Sequence, residues 1–337
     1  MVNRKILIAG PCAAESEEQV LLTAKMLSNS GIRCFRAGVW KPRTKPGGFE
    51  GYGEQGLQWL QAVKRQTGLQ IATEVATPEH VQLALIHGVD ILWIGARTVS
   101  NPFSVQEIAE ALRRTDINIM VKNPAMPDLE LWTGAIERLQ NAGIQRITAI
   151  HRGFYAADNP NYRNAPQWNI PAELKRRFPH VPLLCDPSHI AGDAARVPAI
   201  AQKAMDLNHD GLFVEVHCCP QKALSDGFQQ LTPAEFANMI KKLILRPTDS
   251  YADLLLQMRQ QIDEIDENIF ALLSKRMKIA QKIGDLKKEN KIAALQSKRF
   301  AQIEQKFIEQ AEILNLSKDF IKNILENIHS EALKKQI

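Results

Sequence analysis

A (β/α)8 barrel of the TIM type followed by a small all-α unit is the fold the sequence predicts, and three observations predict it. Up to Val216, eight short apolar runs alternate with segments of helix length, the pattern of repeated βα units around a parallel sheet. Eight such units in about 245 residues suit a closed barrel. The composition then changes: all 17 prolines lie at or before Pro247, and Gly284 is the only glycine after it.

The strand candidates are 5–9, 33–38, 70–75, 91–95, 117–121, 146–150, 181–185 and 211–216. Each ends near a polar residue: Cys12, Arg36, Glu74, Arg97, Lys122, Arg152, His189 and Glu215. Barrel active sites gather at the C-terminal strand ends. An open doubly wound sheet is the alternative. However, Cys12, His189 and Glu215 follow strands one, seven and eight, which are neighbours only if the last strand closes onto the first.

Past the barrel, Leu255, Met258, Ile262, Ile265, Ile269, Leu272, Ile279, Ile283 and Leu286 recur at helical spacing. A helix over 251–289 would be ~58 Å long, with two shorter helices over 296–313 and 317–335. The expected division is a barrel at 1–245, a linker at 246–250 and an all-α domain at 251–337. A helix that long cannot bury its apolar stripe inside a three-helix unit. A homodimer through this domain is therefore expected, with a higher oligomer open.

Net charge is +5, with 42 basic and 37 acidic residues interspersed, which argues against a nucleic-acid or membrane surface. The five cysteines are scattered and contain no Cys-x-x-Cys pair, which suits a reducing compartment. The apolar run Ile6–Ala9 is too short for a signal peptide. No stretch reaches the ~18 apolar residues of a membrane span. A cytoplasmic protein is expected.

Cys12, Asp186-Pro187-Ser188-His189, Glu215-Val216-His217 and Ser225-Asp226-Gly227 each lie just past a predicted strand or in the loop that follows one. A thiolate, an imidazole and two carboxylates at one barrel end make a metal centre: Cys12, His189, Glu215 and Asp226. Such mixed ligands suit Mn, Fe, Co, Zn or Cu rather than Mg or Ca. His151 and His217 read equally as structural or outer-shell groups. The loop Lys41-Pro42-Arg43-Thr44-Lys45 holds three cations between prolines beside the same mouth and reads as a phosphate trap. Arg97, Lys122 and Arg152, joined by Arg36 and Lys41, suit a multiply anionic small molecule. Their mutual repulsion is costly unless a ligand neutralises it. Gly51-x-Gly53-x-x-Gly56 matches a dinucleotide-binding pattern, but a basic loop rather than a strand precedes it. A nucleotide-dependent oxidoreductase rests on that pattern alone.

Gly10-Pro11-Cys12, the KPRT of 41–44, Ile94-Gly95-Ala96-Arg97, Asp186–His189, Glu215-Val216-His217 and Ser225–Gly227 together resemble 3-deoxy-D-arabino-heptulosonate-7-phosphate (DAHP) synthases of the short I-beta type, related to 3-deoxy-octulosonate-8-phosphate synthases. The resemblance covers residues 1–245. It implies condensation of phosphoenolpyruvate with erythrose 4-phosphate on a divalent metal (Mn, Fe, Co or Zn). It makes Cys12, His189, Glu215 and Asp226 the ligands, and Arg36, Lys41, Arg97, Lys122 and Arg152 the phosphoenolpyruvate cations. Arg43 and Thr44 become aldose-phosphate contacts, and Lys41 a proton donor whose pKa nearby cations would lower. Lys-Pro-Arg-Thr favours the four-carbon aldehyde over the octulosonate alternative.

Residues 251–337 resemble the all-helical AroQ-type chorismate mutases through Arg259, Ile262-Asp263-x-Ile265-Asp266, Arg276, Gly284-x-x-Lys287, Arg299 and Gln336. The resemblance implies rearrangement of chorismate to prephenate. Arg276 and Lys287 lie about 20° apart around one helix, whereas Arg259 lies roughly 100° from Arg276. Arg259 is therefore expected to serve a partner's pocket. Gln296 and Phe300 stand where relatives often carry acids, and Ala332 where many carry serine. A ligand-sensing domain that binds chorismate or prephenate without turnover is the alternative.

Overall fold

The computed structural model describes residues 5–41, 47–156, 161–245, 252–291 and 297–336, and of 252–261, 264 and 297–299 the backbone alone. The chain separates into two compact units, Met1–Arg246 and Pro247–Ile337.

The first unit is the expected barrel. Its strands are β1 (Ile6–Gly10), β2 (Cys34–Arg36), β3 (Gln70–Val75), β4 (Ile91–Ile94), β5 (Asn118–Lys122), β6 (Ile147–His151), β7 (Leu183–Cys185) and β8 (Gly211–Glu215). They are parallel, run in chain order around the barrel and close. Closure is a five-residue parallel pairing of β1 with β8, from Ile6 opposite Gly211 to Gly10 opposite Glu215.

Among the described residues, ten α-helices flank the strands: α1 (Glu17–Leu27), α2 (Glu54–Thr67), α3 (Pro78–Ile86), α4 (Ala96–Val99), α5 (Pro102–Leu112), α6 (Leu129–Asn141), α7 (Asn169–Arg177), α8 (Pro187–Ala191), α9 (Val197–Asp206) and α10 (Pro233–Lys242). Several start on a polar cap before proline, which suits a first turn whose amides lack helical partners. Thr77, Asn101, Asp186 and Thr232 each accept such an amide hydrogen bond. Strand residues are buried on both faces, as a barrel ringed by helices requires. Ile8, Cys34, Ala72, Ile91, Trp93, Met120, Ile150, Leu184 and Phe213 form one core cluster, to which every strand contributes. The larger cluster joins strands to helices.

The glycine pattern at 51–56 is explained by packing. Gly51 has φ +93°, and a Cβ there would fall 2.1 Å from the Val39 carbonyl oxygen. Only glycine allows so close a backbone approach.

The second unit holds α11 (Ala252–Glu289), α12 (Ser297–Glu309) and α13 (Lys318–Gln336), with α13 packed against both others. A Cβ at Gly284 would stand 2.6 Å from Gln336 Cα, so this glycine lets the end of α13 lie against α11. Ile262, Ile265, Ile269, Leu272, Ile279 and Ile283 remain exposed along α11. The proposed linker at 246–250 lies outside the described residues. Among the described residues, no helix is long and apolar enough to cross a membrane.

Candidate active site and metal centre

Barrel closure builds one corner of the site. Glu215 ends β8 opposite Gly10, two residues before Cys12. Asp226 sits in the following loop with φ +52°. The Cys12 sulfur and one carboxylate oxygen each of Glu215 and Asp226 lie within 4.8 Å of one another. His189 joins them from β7. Asp186 caps α8 by accepting the His189 amide at 3.1 Å, so the Asp-Pro-Ser-His run is a helix start that fixes the histidine in its first turn. His189 Nε2 stands 3.8 Å from Glu215 Oε1, and its Nδ1 lies 2.8 Å from Asp186 Oδ2. A carboxylate behind the imidazole orients the ring and frees Nε2 for a cation.

The donors fit a divalent transition metal. Glu215 Oε1 is buried, accepts no hydrogen bond among the described residues and has the Arg36 guanidinium at 3.3 Å as its charge partner, so a cation bound here would add the direct bond that this oxygen lacks. Burial first, then the Glu215 charge, pushes the Cys12 thiol up to about 12. Its sulfur would ligate as a thiolate only with a positive ion beside it. For Asp226 burial acts to raise the carboxyl, but His189 and Arg163 outweigh it and hold it below the usual range.

A cavity of about 550 Å³ opens beside these groups, lined by Lys41, Glu74, Arg97, Lys122, Arg152, Arg163, His189 and Asp226 among others. Arg36 is 1% exposed. Its guanidinium carbon lies 4.9 Å from the Trp93 ring centre and 4.5 Å from that of Phe213. Its Nε and Nη1 find no hydrogen-bond partner among the described residues. Two buried, unpaired guanidinium nitrogens are what an anionic substrate group would satisfy.

Two expectations are corrected here. The cations do not await a ligand for all their neutralisation. Arg36 pairs with Glu215 at 3.3 Å, Lys122 with Asp186 at 2.9 Å and Arg163 with Asp226 at 3.0 Å. Nor is Lys41 pushed down by neighbouring cations. Burial acts to lower it, but the Cys12 sulfur and the Glu74 carboxylate outweigh burial and hold the ammonium above its ordinary pKa. Lys41 Nζ donates to the Cys12 sulfur at 3.0 Å.

Arg43 and Thr44 lie outside the described residues. His151 and His217 are both buried. His151 contacts the Pro166 carbonyl oxygen at 2.6 Å and packs edge-on against Trp168. His217 Nδ1 accepts the Cys219 amide, and its Nε2 lies 3.5 Å from Glu15. Sequence reasoning placed Glu74 at a strand end without assigning it to the site, and missed Arg163. Glu74 lines the cavity and accepts from Trp93 Nε1 at 2.9 Å. Arg163 lies in Tyr162-Arg163-Asn164, well past the end of β6 and before α7.

In the helical unit, Lys287 Nζ donates to Gln336 Oε1 at 3.0 Å. Arg276 is exposed on the same helix. Arg259 and Arg299 lie on α11 and α12 with side chains outside the description, and Gln296 is outside it altogether. Phe300 stacks on His329 with ring centres 4.3 Å apart, and Ala332 is buried. No carboxylate or hydroxyl is therefore available at these two positions.

Comparison with known proteins agrees with both units. The family model described as DAHP synthetase I family matches residues 2–246, and that of chorismate mutase type II matches residues 258–337. A phospho-2-dehydro-3-deoxyheptonate aldolase of Thermotoga maritima is 31% identical over 237 residues, covering 70% of this chain and 68% of that protein. A 2-dehydro-3-deoxyphosphooctonate aldolase of Helicobacter acinonychis is 28% identical, covering 71% of this chain and 94% of its own. A crystal structure of a Thermotoga maritima DAHP synthase superposes with a TM-score of 0.64 at 30% identity, covering 75% of this chain and 70% of that one.

Proposed function

The chain belongs to the DAHP synthetase I family and carries a chorismate mutase type II domain behind the barrel, and from that premise we propose that it runs two reactions. Residues 1–245 condense phosphoenolpyruvate with erythrose 4-phosphate and water to DAHP and phosphate. Residues 251–337, beyond a linker at 246–250, convert chorismate to prephenate. The observation that carries the first reaction is the convergence, at one barrel mouth, of Cys12, His189, Glu215 and Asp226 with the cations of the cavity.

Cys12, His189, Glu215 and Asp226 would hold the divalent cation. Bound there, it supplies Lewis-acid polarisation of the aldehyde carbonyl. Arg36, Lys122, Arg97 and Arg152 bind the phosphoenolpyruvate anion and turn its enol carbon towards the aldehyde. Arg43 and Thr44 take the aldose phosphate. As the new carbon–carbon bond forms, Lys41 donates a proton to the alkoxide. Water adds to the oxocarbenium-like carbon left behind, and phosphate departs with its charge held by the arginines.

Lys41-Pro42-Arg43-Thr44 and the higher identity to the heptulosonate relative favour the four-carbon aldehyde. Loss of phosphoenolpyruvate with erythrose 4-phosphate but not with arabinose 5-phosphate supports this choice; the reverse preference makes the barrel an octulosonate-phosphate synthase.

In the helical unit, Arg259, Arg276, Lys287, Arg299 and Gln336 would fix the two carboxylates and the ether oxygen of chorismate, and the rearrangement then needs no covalent help. The exposed stripe of α11 pairs with a second copy, which brings the partner's Arg259 to this pocket. Phe300 and Ala332 favour a second reading, in which the unit binds chorismate or prephenate as a sensor. Chorismate turnover that Arg276→Ala abolishes establishes the mutase; binding without turnover establishes the sensor. Feedback by either ligand follows if the synthase rate falls in its presence, and equal rates refute it.

A further inference from the structure

Behind the metal ligands lies a pair of glutamines that sequence reasoning did not single out. Gln229 and Gln230 are each 1% exposed, at the end of the short turn Gly227–Gln229 that follows Asp226. Gln229 Oε1 accepts from Arg163 Nη1 at 2.5 Å, and Gln229 Nε2 donates to Glu215 Oε2 at 2.5 Å. The same Arg163 nitrogen donates to Asp226 Oδ1 at 3.0 Å. Gln230 Oε1 accepts from the Cys12 amide at 2.9 Å, and Gln230 Nε2 donates to the Ser225 carbonyl oxygen at 2.9 Å.

The partners fix which way each amide faces. Arginine and a backbone N–H only donate, whereas a carboxylate and a carbonyl only accept, so neither amide can flip without breaking both of its bonds. Gln229 thereby occupies Glu215 Oε2, whereas Oε1 makes no hydrogen bond among the described residues and has Arg36 Nη2 at 3.3 Å as its charge partner. Asp226 is steadied by the same Arg163.

We propose that Gln229 and Arg163 form one positioning unit that orients the Glu215 and Asp226 carboxylates for a divalent cation, with Gln230 fixing the backbone of Cys12. The proposal rests on the metal centre assigned above. A glutamine that merely fills buried space would tolerate an apolar replacement of the same size. One that aims a ligand would not, because outer-shell partners of metal ligands control affinity by about 10–100-fold.

The test is cobalt(II) binding to the metal-stripped full-length protein. It is read as a dissociation constant against a chromophoric chelator, and as the thiolate-to-cobalt charge-transfer band that reports Cys12 ligation. Gln229→Leu is expected to weaken cobalt about 10–100-fold and to shift or diminish the band. Arg163→Met should weaken it less, and the double variant by less than the product of the two losses, as members of one network do. Cobalt affinity within twofold of the parent and an unchanged band in both single variants overturn the proposal. Should Gln229→Leu fail to fold, Gln229→Asn, which keeps the amide but withdraws it by one carbon, decides by the same two readouts. A parent protein that binds no cobalt overturns the metal centre itself, a different outcome from a parent that binds it as well as its variants do.

Discussion

Arg36 of the barrel and Arg276 of the helical unit are both cations proposed to meet an anionic substrate, yet Arg36 is 1% exposed and Arg276 stands open to solvent. The difference comes from the elements that carry them. A barrel strand is covered on the inside by the other strands and on the outside by helices, so its C-terminal end buries a side chain among packed neighbours. Trp93, Phe213 and Glu215 then hold the Arg36 guanidinium in place. Helix α11 has α13 along one side and an uncovered apolar stripe on another. A single barrel can gather the ends of eight strands, whereas a single long helix can offer only part of a pocket. The proposed metal centre thus draws its residues from one copy, and the proposed helical site would take one from a second.

The strongest way to break this comparison is to damage one unit and watch the other. Cys12→Ala should lower the synthase rate by about 10³-fold or more, since the cation's charge stabilisation is worth several kcal/mol, while chorismate turnover stays unchanged. Exhaustive chelation should divide the two activities in the same way. A synthase that survives metal removal ends the metal reading.

Next in size is Arg276→Ala, expected to cut chorismate turnover by roughly 10²–10³-fold, the usual loss when one preorganised donor is removed, with the synthase untouched. The dimer comes third. Ile269→Glu puts a charge in the exposed α11 stripe and should weaken self-association by about 30-fold, the value of one interface hot spot. Light scattering at micromolar concentration should show the parent as a dimer or larger and the variant shifted towards monomer. A monomeric parent would leave the mutase pocket to a single copy.

The smallest effect concerns the barrel alone and is a pH dependence. Burial first, then the nearby Lys175, lowers the His209 pKa to about 4, with Asp210 opposing and Lys5 adding to the shift. His151, against which it packs, is lowered to about 3 by burial and by His209 and Arg152, with Asp186 opposing. Above the unfolded value of ~6.5 both states are neutral and there is no penalty. As pH falls towards 4 the unfolded chain takes up the proton first, so folding stability is lost, by about 2 kcal/mol at pH 5 for His209. The barrel Tm should therefore drop between pH 6.5 and 4, and His209→Phe should flatten that slope whatever it does to the Tm itself. An unchanged slope would show that another group governs the acid limb.

Much of this was legible in the chain. The eight strands fall within a few residues of their apolar runs, because a strand buried on both faces must be apolar throughout. Cys12, His189 and Glu215 were visible because each follows such a run, and closure of β8 onto β1 followed from asking how strands one, seven and eight become neighbours. Helix α11 was visible as an unbroken period with neither proline nor an early glycine. Arg163 and Gln229 were not visible. Their importance lies in contacts spanning 63 residues to Asp226 and 14 to Glu215, and nothing in their local pattern separates them from surface polar residues.

By itself, then, the sequence determined the period of each element, the polar candidates at the strand ends, the closed order of the strands and the change of architecture after Pro247. These are local properties, set by which faces must be apolar and by where proline and glycine permit a helix. Tertiary structure alone decided which charges neutralise one another. Lys41 sits above rather than below its ordinary pKa because the Cys12 sulfur and Glu74 face it, and the two Glu215 oxygens are divided between Gln229 and the Arg36 guanidinium. Electrostatic energies depend on distance in space and on burial, and a linear pattern contains neither.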